Sequence, residues 1–316
     1  MAAGSLGARR LVRSLAVAVT LCLAQPAFAG GDATSSTVSS SATLPAASES
    51  DFLGADTLRG RSGKLMARFL PYLARLDIPV LSAMVGDTVV RTPGVYVLRD
   101  SSRSSLFTFI TLRPFSDKVK GRVGSYRMGY WPFERRKVRS SAYASLDGFI
   151  EVTPDNQDTQ VSEHFRLRDF LTKDQRDVWP KYLVLDTKLI DKLELVIDDL
   201  VGRGYDVEYL SVMSGFRTPQ YNVKGVGKGR ADASRHQYGD AADVFVDNDR
   251  NGRMDDLNRD GRVDTRDARI LLQAVDRVEA AYPGLVGGAG VYSATRAHGP
   301  FTHIDARGQR ARWGRI

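Results

Sequence analysis

Apolar residues recur along this chain in several rhythms, each predicting a different kind of structure. Leu15 to Ala24 form one apolar run, preceded by Arg9, Arg10 and Arg13 and followed by Ala27-Phe28-Ala29. That is the pattern of a secretory leader over 1–29, at about half the roughly 20 residues a membrane-spanning helix needs. Residues 30–56 are dominated by Ser, Thr and Ala and carry few large apolar groups, as expected of a flexible tether. Over 57–77, Leu58, Leu65, Met66, Phe69, Tyr72, Leu73 and Leu76 follow a helical spacing broken at Pro71. This predicts one or two short helices. Between 86 and 153 the runs VVRTPGVYVL, LFTFITL, RVGSYRMGYWP and GFIEV are rich in β-branched and aromatic residues, so 57–153 reads as a helix plus a small β-rich domain.

Beyond Pro154 the rhythms mix. Leu189, Ile190, Leu193, Val196, Ile197 and Leu200 form one stripe, with Asp186-Thr187 at the capping end and Gly202 at the other. Strand-like EYLSVMS and ADVFV follow, then an acidic segment, a helix from about 265 to 281, and strands near GAGVY and FTHIDA. The expectation for 154–316 is an α+β domain with a small antiparallel sheet.

Composition changes the picture in two places. The 316 residues carry a net charge of +8, and loss of the leader removes three Arg and no acid, leaving +5. Export excludes genomic nucleic acid as the partner of that charge and points to an anionic cell wall or membrane surface. The chain reads as periplasmic or secreted, without a transmembrane segment, and nothing in it fixes an oligomeric state. The basic cluster Arg135, Arg136, Lys137 and Arg139 is expected in a loop. Cys22, the only cysteine, lies in the leader, so a metal site in the mature chain must use His, Asp or Glu.

Three of the four His fall in SRHQYGDAAD and HGPFTHID. If the strands carrying them are neighbours, His236, Asp243 and His303 converge, and two imidazoles with one carboxylate leave a fourth zinc position open. Asp305 projects from the same strand face as His303. His164, in SEHFRLRDF, lies upstream and reads as structural.

The pattern S-x-H-x-x-G-x-A-x-D, a later H-x-D and a preceding S-G-F-R-T-P resemble the zinc D-alanyl-D-alanine carboxypeptidases and related peptidoglycan endopeptidases, over residues 162–313. The resemblance implies the fold shared with the lysostaphin and hedgehog groups, zinc on His236, Asp243 and His303, and a substrate-anchoring role for Arg217. A guanidinium there suits a peptide carboxylate or a developing oxyanion. Ser234 matches the motif's serine and is expected to orient a ligand or its loop. One departure stands out: many relatives carry an acidic base three residues before the last ligand, where this chain has Pro300. His298, at a place where some relatives also have a histidine, is then the expected proton-transfer or transition-state-stabilising residue, and Asp305 the partner that holds His303. The implied activity is hydrolysis of a peptide bond in peptidoglycan stems or crosslinks. The alternative is a wall-binding scaffold that keeps the fold without turnover.

The acidic segment 247–267 carries a second pattern. Asp256, Asn258, Asp260, Gly261, Asp264 and Asp267 occupy positions 1, 3, 5, 6, 9 and 12 of a calcium loop with EF-hand spacing. Nine residues earlier, Asp247, Asp249, Asn251, Gly252 and Asp255 repeat that spacing, with Asn258 a poorer ligand at the twelfth place. The later loop is therefore the closer match to the pattern.

Overall fold

The computed structural model describes residues 16–22, 38–43, 58–72, 93–99, 105–136, 138, 140–226 and 230–314, the side chains of 16–22, 38–43, 98–99 and 105–106 excepted. Two five-stranded sheets are present. In the first, β1 (Ala16–Cys22), β2 (Val38–Thr43), β3 (Ala67–Leu70), β4 (Gly94–Arg99) and β5 (Ser105–Thr111) run in the order β2-β1-β4-β5-β3. β1 and β2 fall within the segments expected as leader and tether. Cleavage after Ala29 would take β1 out of this sheet.

The helix expected over 57–77 is not formed in the described part of that stretch. Ala67–Leu70 is instead a strand, parallel to β5. Gly60 and Gly63 adopt positive φ and break any helical run, and Ala67 and Leu70 are buried through pairing with the sheet. The rest of the β-rich expectation is met by β4, β5, the hairpin β6 (Arg122–Val123) and β7 (Tyr126–Arg127), and β8 (Ile150–Val152). Arg135 ends the short helix α1 (Pro132–Arg135) rather than lying in a loop, and Lys137 and Arg139 lie outside the described residues.

The expected boundary at 153/154 is crossed by strand pairing and by a common core. β8 pairs with β9 (Lys181–Leu183), Ile150 opposite Leu183, and one buried cluster extends from Leu65 to Ile304. The fold is α+β. Helix α2 (Thr187–Gly202) begins where Asp186 accepts from the Lys188 N–H at 2.8 Å. Its stripe buries Leu189, Ile190, Leu193, Val196 and Leu200 completely, at about 1.5–3 kcal/mol per side chain.

The second sheet comprises β10 (Leu210–Ser214), β11 (Ala241–Val246), β12 (Gly288–Tyr292), β13 (Phe301–Asp305) and β14 (Ala311–Gly314), in the order β10-β11-β13-β12-β14. The short helix α3 (Pro219–Asn222) follows β10, and α4 (Thr265–Ala281) precedes β12. The sheet is mixed rather than antiparallel, because β14 runs parallel to β12. Helix α4 packs against α2 and against β12 and β13. Thr302 Oγ1 donates to the Ala268 carbonyl at 2.7 Å, which fixes the helix-facing side of β13 and turns His303 to the other side.

A buried ion pair joins the two long helices. Lys192, wholly buried on α2, donates to Glu279 Oε1 at 2.6 Å and to the Asp305 carbonyl at 2.7 Å, while Arg312 donates to Glu279 Oε2 at 2.6 Å. Removing Lys192 leaves Glu279 with Arg312 as its remaining cation and takes the Lys192 donor from the buried Asp305 carbonyl, away from water. Lys192→Met should therefore lower the unfolding free energy by about 3–5 kcal/mol, measured by urea denaturation.

His164 is structural, as expected. Its Nδ1 lies 2.6 Å from Glu194 Oε2 on α2, and its backbone N–H donates to Glu194 Oε1 at 2.9 Å. The Glu194 hydrogen bond raises the imidazole pKa, against an opposing effect of burial. A folded value above the unfolded one gives stability that is complete below about 6.5 and fades as pH rises through the raised value. The stability difference between wild type and His164→Gln should be larger near pH 5.5 than near pH 9. Equal differences at the two pH values would contradict this assignment.

Candidate metal centre

The three expected ligands arrive from three elements. Asp243 lies on β11 and His303 directly opposite it on β13, so the register itself brings carboxylate and imidazole together. His236 enters from the 3-10 turn Arg235–Tyr238, which ends at Gly239 with φ +73°. A Cβ at Gly239 would stand 2.3 Å from the Val184 carbonyl oxygen, so only glycine fits where this turn meets the segment between β9 and α2. The turn is braced by the β-rich part of the chain: Trp131 Nε1 donates to the Gln237 carbonyl and Arg235 to the Ala142 carbonyl, at 2.8 and 2.7 Å.

His236 Nε2, His303 Nδ1 and Asp243 Oδ1 form a compact triangle. Their separations are 3.2 Å between the imidazoles, and 3.2 and 2.9 Å from His236 and His303 to Asp243. All three residues are buried. The remaining polar atoms are committed. His236 Nδ1 lies 2.7 Å from the Gly215 carbonyl, His303 Nε2 lies 3.1 Å from Asp305 Oδ2, and Asp243 Oδ2 accepts from Arg217. Each ligand thus presents one atom inward while its other atom is held by the protein, the second layer a metal site needs.

Electrostatics follow from that packing. Burial alone would raise Asp243, but His236, His303 and Arg217 outweigh it and hold the carboxyl well below its usual range. Burial lowers His236. At His303 burial acts to lower the imidazole, but its hydrogen bonds to Asp243 and Asp305 outweigh burial and raise it. Asp305 is fully buried, pairs with Arg307, accepts the Gly288 N–H at 2.7 Å and is depressed despite burial. Its expected role as partner of His303 is what the geometry shows.

The other predicted residues fall as follows. Arg217 donates through Nε to Ser214 Oγ at 2.8 Å and lines the cleft, with its guanidinium engaged by Asp243. Ser234 is buried at the cleft wall, and its side chain does not cap the 3-10 turn. His298 lines the same cleft, its Nδ1 2.8 Å from the Gly299 carbonyl and its ring edge-on to Phe301. Pro300 occupies the place where an acid was sought, and among the described lining residues Asp243 is the only carboxylate.

The cleft has a volume of about 840 Å³ and is lined by cations and aromatics that sequence reasoning had not singled out, including Lys173, Arg230, Tyr292 and Trp313. Trp313 on β14 donates to the Tyr292 hydroxyl at 2.8 Å and its ring packs 5.1 Å from that of His303. Gly290, opposite His303 on β12, makes room for it: a Cβ there would lie 2.4 Å from Trp313 Nε1. A tryptophan in a short polar strand gives little periodic signal, although its place ten residues beyond His303 was a usable clue.

In the acidic segment the structure gathers the earlier loop. Carboxylate oxygens of Asp247, Asp249 and Asp255 lie within 4.8 Å of one another. The later loop is differently engaged. Asp260 and Asp264 pair with Arg266 at 2.6 and 2.8 Å, and both oxygens of the fully buried Asp267 accept backbone N–H groups, from Asn258 and Asp264. Asp264 also caps α4.

No family model, no curated protein and no solved structure matches this chain. Among the described residues, no helix is long and apolar enough to cross a membrane.

The geometry predicts one tight site for a divalent transition ion. Equilibrium dialysis should show it lost in His303→Ala, and weakened about 10–100-fold in Asp305→Asn.

Proposed function

We propose that this protein is an exported zinc peptidase that hydrolyses peptide bonds in peptidoglycan stems or crosslinks, built on the fold of the D-alanyl-D-alanine carboxypeptidases. The observation that carries the reading is the buried triangle of His236 Nε2, Asp243 Oδ1 and His303 Nδ1 at the wall of a cationic cleft. Two nitrogens and one carboxylate oxygen fit zinc, and three protein ligands are the number that catalytic sites use. When bound there, zinc supplies Lewis acidity, polarising a carbonyl and bringing the pKa of water toward about 7.

The chain's own residues supply the rest. His236 and His303 are held in fixed tautomers by Gly215 and Asp305, so each offers a lone pair inward. Arg217, Arg230, Lys173 and Arg307 give the cleft a positive lining suited to the free carboxylates of peptide stems. Arg217 is held at Ser214 and Asp243, so it presents a positioned charge at the ligand carboxylate. Tyr292, Phe301 and Trp313 add an aromatic wall to the cleft, with Tyr292 stacked on Phe301 and Trp313 packed against His303. His298 is the imidazole lining the described cleft that is not one of the three candidate ligands, and it takes the role of proton donor to the leaving amine.

One observation favours a second reading, a wall-binding scaffold without turnover: no carboxylate besides Asp243 lines the described cleft to serve as base. Digestion of purified peptidoglycan separates the two. Wild type with zinc should release new muropeptides whose masses define the bond cut, His303→Ala none, and His298→Gln about 10²–10⁴-fold less. Equal release by wild type and His303→Ala would exclude zinc catalysis, and binding without release would support the scaffold.

A further inference from the structure

The segment between β11 and α4 holds a cluster the proposed reaction does not use. Asp247 immediately follows β11 and is only 3% exposed, yet its Oδ1 has no hydrogen-bond partner. A buried carboxylate oxygen without a donor is unfavourable unless something positive reaches it. Its neighbours are more negative charge: Asp249 and Asp255 bring carboxylate oxygens within 4.8 Å of it and of each other. Among the described residues, none of the three forms an ion pair. Arg250, within the loop, stacks instead on Tyr209, 4.6 Å from the ring centroid. The later loop differs in this respect, because Arg266 forms ion pairs with Asp260 and Asp264.

The backbone is shaped to keep these groups together. Gly252 donates to Asp247 Oδ2 at 3.1 Å, Asn251 donates to Asp249 Oδ1 at 3.2 Å, and Asn248 donates to Asp255 Oδ2 at 2.9 Å. The three acidic side chains offer only carboxylate oxygens, with Asn251 Nδ2 donating to Asp249 Oδ2 at 2.7 Å, and an oxygen set selects a hard cation rather than zinc. The loop supplies carboxylates at its first, third and ninth positions and an amide at the fifth, Asn251. Calcium accepts such an irregular set, whereas magnesium requires near-octahedral geometry.

We infer that residues 247–255 form a calcium site in which Asp247, Asp249 and Asp255 are the anionic ligands, and that the ion closes the exit of β11. Two hydrogen bonds link the loop to the sheet: Asp247 N–H donates to the Tyr209 carbonyl and Asp255 N–H to the Val246 carbonyl, both at 2.9 Å. Met254 and Leu257 anchor the loop in the core. The ion therefore fastens the end of the strand that carries Asp243. This site is independent of the zinc reading, since it shares no ligand with it.

The test uses the full chain freed of divalent ions and then supplied with zinc. Calcium titration followed by equilibrium dialysis should show one saturable equivalent, with a rise in Tm of about 5 °C or more at 100-fold excess over Kd. Asp249→Asn, an exposed substitution, should weaken that binding at least tenfold while leaving the circular dichroism spectrum unchanged. Asp255→Asn should repeat the loss. His303→Ala should keep the calcium response, which separates failure of this site from failure of the zinc reading. Absence of saturable calcium binding would overturn the inference. So would binding untouched by Asp249→Asn but lost in Asp260→Asn, which would move the ion to the later loop. An equal Tm rise with magnesium alone would remove the assignment to calcium.

Discussion

The metal centre depends on one register: Asp243 of β11 stands directly across from His303 of β13. Side chains alternate along a strand, so a slip of one residue would present Ala242 or Val244 in place of the carboxylate. The opposite face prevents the slip. Ala242, Val244 and Ile304 are completely buried on it, and Thr302 is tied to the first turn of α4. Packing against one helix thus decides the chemistry on the other face of the sheet. Asp305, two residues beyond His303, is placed by the same alternation and holds the imidazole from behind.

Charge forms a second, buried layer under that register. Lys192, Glu279 and Arg312 make one ionic group, and Asp305 with Arg307 and His303 makes another, joined where Lys192 bonds the Asp305 carbonyl. Buried ion pairs contribute little net stability, because desolvation offsets their attraction. Their effect here is positional: each charge has few satisfactory partners, so β13 sits at one height relative to α2 and α4. The segment before residue 154 adds a third constraint, since Trp131 and the Ala142 carbonyl hold the turn that carries His236.

What was legible in the sequence follows from how local each signal is. Helix 187–202 was readable because its cap residue Asp186 and a single apolar stripe lie within the element, whereas the cap of 265–281 is Asp264, a residue the spacing had placed in the calcium loop. The ligand triad was readable because a motif fixes residue types, and the structure shows the convergence that spacing required. The helix expected over 57–77 gave way to β3, since Gly60 and Gly63 remove helical propensity and pairing with β5 supplies what local sequence does not. β14 escaped notice because its place depends on a parallel partner more than 20 residues earlier. Both calcium-type loops share one spacing. Only the structure shows that Arg266 pairs with Asp260 and Asp264 in the later one, while Asp247 Oδ1 is left buried without a hydrogen-bond partner in the earlier.

The ligands of the centre are distant in sequence, 60 residues between Asp243 and His303 and 67 between His236 and His303. Closing a loop of that length carries an entropic penalty of roughly 4 kcal/mol before any contact offsets it. The whole of α4 and the β12 strand must be threaded through that closure. No short fragment of the chain therefore holds the triangle, and contacts this distant are completed late in folding. Occupancy of the three ligands consequently reports completion of the fold, and a chain halted before β13 docks presents two loosely held donors in place of a site.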